Sequence, residues 1–215
     1  MSPIPKVRAE EAWQEVAISL RRVGALKFGD FTLTSGKKSP YYIDLRLVYS
    51  HPEVFDKLAE MCVDMIKREI GEEKYKLAGV PISGLPLAAL VSYKLNSPLL
   101  FVRKERKMHG GMKRVEGLLE RGDRVILIDD LVTTGGSICD AAEAIRNEGG
   151  EVEHAAVILD REEGAREVLE EHGIDLHACI RISDVVRYLC DVNLMDEERY
   201  RLVMDHLKRS KSEKG

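Results

Sequence analysis

The chain has 215 residues but little cysteine. Cys62, Cys139, Cys179 and Cys190 are widely spaced and form no CxxC pair, so a thiolate zinc site has no local signature. They read as reduced thiols of a cytoplasmic protein. Long apolar runs are missing too. The most apolar stretch, Leu77 to Tyr93, is interrupted by Pro81 and Pro86 and is too short to span a bilayer. The opening MSPIPKVRAEEAW lacks the apolar core of a signal peptide. Nor is there a surplus of positive charge. Lys and Arg total 33 against 37 Asp and Glu, a net charge of −4, which argues against both a nucleic-acid-coating surface and a polybasic membrane anchor. GxGxxG is absent, and so is the Lys-Ser/Thr ending of a nucleoside-triphosphate P-loop.

What is present suits one globular domain. Hydrophobic residues make up 44% and charged residues 33%, enough to bury a core. Trp13, Val16, Ala17 and Leu20 mark one face of a helix that stops at Gly24. Phe31–Thr34 and Tyr41–Leu45 read as short strands around a turn. Pro52 opens a second helix, with Phe55, Leu58, Ala59, Cys62, Met65 and Ile66 on its apolar face and Gly71 at its end. Five apolar runs follow: Leu77–Val80, Leu99–Val102, Val125–Ile128, Ala155–Leu159 and Leu176–Ile180. Helical segments lie between most of them, so the pattern predicts an α/β fold with a five-stranded, mainly parallel sheet flanked by helices. Residues 1–50 read as a small N-terminal hood, 51–210 as the core and 211–215 as a frayed tail, with fraying expected from Lys208.

The sharpest motif is VILIDDLVTTGGS, Val125 to Ser137. A buried strand delivers Asp129 and Asp130 at its C-terminal end. Leu131 and Val132 lead into a turn of Thr133, Thr134, Gly135, Gly136 and Ser137, and a helix follows with Ala141, Ala142 and Ile145 inward. Ligands of open α/β sheets bind beyond the carboxyl ends of the strands. Glycines let backbone N–H groups close around a phosphate at a helix N-terminus. Two carboxylates would repel a polyphosphate lying on them but suit the vicinal hydroxyls of a sugar. The implied ligand is a sugar phosphate: diol on the acids, monophosphate in the turn. Merely solvated acids are the weaker reading, because adjacent carboxylates at a buried strand end are costly unless used.

This motif resembles the phosphoribosyl-pyrophosphate (PRPP) signature of type I phosphoribosyltransferases. A second segment narrows the resemblance. Arg103 to Arg114, RKERKMHGGMKR, carries six Lys or Arg against one acid and a Gly110–Gly111 hinge. Taken alone, such a run is often only a solvated surface. Its position, after a strand at the same edge as the acidic pair, favours a flap for a polyanionic leaving group. RKExKxHG resembles the mobile catalytic loop of orotate phosphoribosyltransferases, with Arg103, Lys104, Lys107 and His109 on the pattern. The resemblance implies that the loop grips pyrophosphate across a homodimer and that Lys107 is catalytic, with Asp129 and Asp130. FTLTSGKKSPYYID, Phe31 to Asp44, resembles the family's base-pocket segment and puts Tyr42 and Ile43 near orotate; the residues alone give a hairpin-like turn with aromatics. LDREEG, Leu159 to Gly164, places Arg161 at another strand end, where the resemblance has it meet orotate together with Thr133.

The resemblance runs from near Gly24 to about Ser210 and is closer to the transferase half of UMP synthase than to the common bacterial enzymes; the chain reads as too short to carry the decarboxylase half. Two positions depart from many bacterial members: Thr34 and Ser83 stand where those have lysine. The implied reaction joins orotate to PRPP, giving orotidine 5′-phosphate and pyrophosphate. Mg²⁺ would be held mainly by the substrate, which is its habit at phosphate sites, with no dedicated protein cage. Orotate attacks as an anion, so His109 reads as a phosphate donor rather than a base. The competing readings are a transferase for another base, such as a purine, and a DNA-binding PRPP sensor. RKExKxHG with LDRE disfavours the first. Too few residues precede Gly24 for a winged helix, which disfavours the second. The remaining histidines, at 51, 154, 172, 177 and 206, are scattered and read as structural or exposed.

Overall fold

The computed structural model describes residues 6–32, 36, 38–71, 74–104 and 113–212. Helix α1 (Lys6–Arg22) leads into an antiparallel hairpin, β1 (Leu26–Thr32) and β2 (Lys38–Ile43). A 3₁₀ helix (Leu45–Ser50) and α2 (Pro52–Glu69) follow. Then come β3 (Lys76–Gly79), α3 (Gly84–Leu95), β4 (Leu99–Val102), β5 (Val115–Glu116), β6 (Arg124–Val132), α4 (Gly136–Asn147), β7 (Glu151–Asp160), α5 (Ala165–Glu171), β8 (Asp175–Arg181), α6 (Ile182–Asp191) and α7 (Glu197–Ser212).

The main sheet has the order β5-β4-β3-β6-β7-β8. The five strands read from the apolar runs are its parallel part, and β5 adds a short antiparallel edge beside β4. No pattern in the residues signals β5, which is two residues long inside a polar stretch that reads as loop. In the hood the strands begin earlier than the expected Phe31 and Tyr41, because the ladder runs from Leu26↔Ile43 and its register shifts between Phe28 and Phe31. Leu45 belongs to the 3₁₀ helix instead, capped by the Asp44 side chain. At the other end α7 continues to Ser212, past the fraying expected from Lys208. Val203 and Leu207, four apart and buried, pin that helix to the core.

Strand pleating sorts the core into two layers. Ile126 and Ile128 of β6 face a cluster containing α2, α3 and α6 residues such as Leu58, Leu87 and Val185. Val125 and Leu127 face the opposite layer with Ile138, Ala142 and Leu169 of α4 and α5. Such an alternation explains why β6 reads as continuously apolar: both faces are covered. The hood and chain ends join the first layer. Trp13 of α1 meets Tyr188 of α6 edge-on at 5.4 Å, and His206 of α7 stands edge-on to Tyr41 of β2 at 5.9 Å.

After β3 the chain crosses by α3 on one face to β4; after β6 it crosses by α4 on the other face to β7. The winding therefore reverses between β3 and β6, which leaves a crevice at their carboxyl ends. Gly84 sets its width. A Cβ there would lie 2.4 Å from the Ile128 carbonyl oxygen and 2.9 Å from Asp129 Cα, both backbone atoms that cannot give way. Gly84→Ala is expected to destabilise the fold by about 1–3 kcal/mol, a fall of about 3–10 °C in thermal midpoint, readable by calorimetric melting.

Candidate active site

The crevice opens into a cavity of ≈ 480 Å³. Three segments line it: Ile43 to Arg46 from the hood, Pro81 to Ser83 after β3, and Asp129 to Ile138 after β6, with Lys104 beyond β4. All nine residues from Asp129 to Ser137 called from the sequence are brought together here, along with Ile43 and Lys104.

Asp129 and Asp130 are 7% and 6% exposed. The Asp130 N–H donates to Asp129 Oδ1 at 2.9 Å, and the Leu131 N–H donates to Asp130 Oδ1 at 2.8 Å. Ser83 Oγ lies 3.4 Å from Asp129 Oδ1. These bonds do not replace lost hydration. Burial pushes both carboxyls above the usual range, and repulsion from Asp130 raises Asp129 further. Across the crevice the Tyr49 hydroxyl donates to the Ser83 carbonyl, tying the 3₁₀ helix to the turn after β3. Burial, then the fields of Asp130 and Asp129, raise that phenol's pKa.

The turn after the acids is built as an anion cradle. Gly135 takes φ +84°, a conformation costly for any residue with a Cβ, and Leu169 closes the space behind it. α4 starts at Gly136, where an added Cβ would meet nothing closer than Thr134 Oγ1 at 4.0 Å. The leading N–H groups of a helix lack intrahelical partners and favour negative charge. Thr133, Thr134 and Ser137 add hydroxyls around the same space.

Arg161 lies apart from this cavity's lining. Its N–H donates to the Val132 carbonyl at 3.1 Å, so it sits beside the strand that ends in the cradle. Its guanidinium is buried, pairs with Glu163 at 2.8 Å and stacks 5.1 Å over the Tyr41 ring. Arg161 Nε is buried and has no hydrogen-bond partner among the described residues, which leaves a donor for a ligand. Tyr42 does not line the cavity; its ring packs on Phe31 at 5.6 Å. Arg103 is paired with Glu116 at 3.2 Å and does not line it either. Lys107, His109 and Thr34 lie outside the described residues.

Sequence reasoning missed Asp44 and Arg46. The guanidinium donates from Nε and Nη2 to the two Asp44 carboxylate oxygens, both at 2.7 Å, and this holds Asp44 below the usual carboxylate range. The signal was available: an acid and an arginine two apart at a strand end, straight after YYI. Among the described residues no cluster of three or more His, Cys, Asp or Glu is placed to hold a metal.

The raised carboxyls carry a sign. A folded state that prefers the protonated acids gains stability as pH falls and loses it as pH rises through their elevated pKa values. Asp129→Asn is therefore expected to raise the thermal midpoint at pH 7.5 by about 2–6 °C. The gain should shrink as pH falls toward about 4, which melts across that range will show.

Comparison with known proteins agrees with this geometry. The family model of the phosphoribosyl transferase domain matches residues 46–176. The orotate phosphoribosyltransferase of Sulfolobus acidocaldarius is 43% identical over 182 residues, covering 85% of this chain and 90% of that protein. The crystal structure of orotate phosphoribosyltransferase from Aeropyrum pernix superposes with a TM-score of 0.74 at 34% identity, covering 84% of this chain and 99% of that one. UMP synthase of Leishmania donovani superposes with a TM-score of 0.81 at 32% identity, covering 91% of this chain; the chain spans 42% of that longer protein. No helix among the described residues is long and apolar enough to cross a membrane. The chain belongs to the orotate phosphoribosyltransferases, a family of the type I phosphoribosyltransferase fold.

Proposed function

We propose that the cavity binds PRPP with its ribose diol on Asp129 and Asp130 and its 5-phosphate in the Thr133–Ser137 turn, and transfers the phosphoribosyl group to orotate in UMP biosynthesis. The carrying observation is the pair of buried carboxylates facing an open cradle at the switch point of the sheet. In the reaction the ribose C1–oxygen bond to pyrophosphate breaks and a bond from orotate N1 forms. Positive charge builds on the ribose ring in between. Asp129 and Asp130, held in a site that penalises their ionisation, gain most when that charge appears beside them. Their cost in the free protein is thus recovered in the transition state.

Arg161 is the orotate-facing cation in this reading, supported by its stacking on Tyr41 and its buried Nε, which no described residue partners. Thr133 and Ile43 line the cavity, and Tyr42 packs on Phe31 in the β1–β2 hairpin. Lys107 is assigned to the departing pyrophosphate, with Arg103, Lys104 and His109. Two carboxylates and a ring of hydroxyls suit a cation that arrives on its substrate. Mg²⁺ bound there would neutralise the pyrophosphate as it leaves.

A homodimer that shares the basic loop is part of the proposal. Its support is an apolar face of β4, exposed among the described residues, where Leu99 and Phe101 alternate with buried Leu100 and Val102, beside Tyr93 at 85% exposure. The hood is assigned to residues 1–50, the core to 51–210 and the tail to 211–215. A cytoplasmic setting fits the four free cysteines.

The test is a spectrophotometric assay of orotate consumption with PRPP and Mg²⁺, repeated with adenine, hypoxanthine and uracil. Orotate alone should be consumed; no loss of its absorbance overturns the reading. Asp129→Asn combined with Asp130→Asn should abolish PRPP binding in titration calorimetry. Lys107→Ala should cut kcat by about 10²–10³-fold, the scale for losing one charge-stabilising donor, with an unchanged melting temperature.

A further inference from the structure

We infer that Arg46 is a pyrophosphate-binding residue of this site, held ready by Asp44 and handed to the substrate when PRPP enters. The inference rests on the proposed placement of PRPP and deepens it. Three carboxylates line the cavity, Asp44, Asp129 and Asp130, yet among the described lining residues only Arg46 and Lys104 carry positive charge. PRPP bears a phosphate at one end and a diphosphate at the other. The first is accounted for by the glycine turn at α4. The second must lie across the ribose from it, toward Pro81–Ser83 and Lys104. Ser83, at the heart of that turn, brings no charge.

Arg46 is built to fill the gap. It sits on the 3₁₀ helix three residues before Tyr49, and side chains at that spacing eclipse one another. Tyr49 is bonded to the Ser83 carbonyl, so the same face of the helix that anchors the turn also carries the guanidinium. The turn and Arg46 therefore border one stretch of cavity wall. Pairing with Asp44 engages Nε and Nη2; Nη1 takes no part in it. The Asp44 carboxylate also accepts the Arg46 backbone N–H at 3.2 Å, which fixes the start of the helix as well as the fork. Asp44 is a positioning residue in this arrangement. It stores the guanidinium close to its target, which lowers the ordering cost when the anion arrives. The Arg46 side chain is well exposed, so its pair with Asp44 is weak enough to exchange for a doubly charged ligand. A planar fork matches phosphate oxygens two at a time.

The experiment uses inorganic pyrophosphate as probe, titrated by calorimetry in the presence of Mg²⁺ into the wild-type protein, Arg46→Gln and Arg46→Lys. Steady-state kinetics and melting run in parallel. Arg46→Gln is expected to weaken pyrophosphate binding and raise the KM for PRPP by about tenfold to a hundredfold, the range for losing one charge-assisted hydrogen bond. The KM for orotate and the melting temperature should stay as in wild type. Arg46→Lys keeps the charge without the fork and should fall between. Pyrophosphate affinity within twofold of wild type in Arg46→Gln would overturn the assignment. So would an Arg46→Lys protein no better than Arg46→Gln, because the loss would then not be one of charge. A wild-type protein that binds pyrophosphate through Arg46 but leaves orotate untouched would overturn the base assignment and leave Arg46 standing.

Discussion

Asp129 and Asp130 stand side by side at the carboxyl end of β6, stripped of most of their water, and like charges at that distance repel. The fold accepts this because β6 is the strand it can least afford to move: helices cover both its faces, and parallel neighbours flank it. A flexible loop would relax by turning the carboxyls out to solvent. A strand locked at β3 and β7 has no such escape. The electrostatic cost is thereby stored, and positive charge brought beside the pair would release it. Preorganisation here is a property of the sheet, and the side chains only inherit it.

Around that fixed pair the other parts are joined by few, specific links. Tyr49 ties the hood to the turn after β3, and Gly84 lets α3 approach β6 closely enough for Ser83 to reach Asp129. On the far side, Tyr41 of the hood carries Arg161 across its ring while its hydroxyl meets Glu163 at 3.1 Å. The hood therefore touches both the turn after β3 and the segment after β7. Small shifts of the β1–β2 hairpin would alter both contacts together.

Much of this was legible in the residues. The two-sided burial of β6 appears directly as an uninterrupted apolar run, and the acid pair, glycine turn and helix follow in the order that reads as a phosphate cradle. Helices α1 and α2 were readable from their apolar spacing and their glycine or proline punctuation. What escaped notice depends on long-range contact. β5 exists only because β4 offers it an edge, and α7 persists because Val203 and Leu207 find a core to enter. Asp44 and Arg46 are hard to read from sequence for a similar reason. A charged pair two residues apart looks like ordinary surface until the turn after β3 is folded back against it.

The contact between His206 and Tyr41 gives the last helix a role its distance from the acidic pair conceals. Tyr41 is wedged between α7 and Arg161, so α7 acts as the back wall of that buried arginine. Damage to α7 would be felt first at the stack of Tyr41 on Arg161, while the parallel sheet and its acidic pair stayed intact.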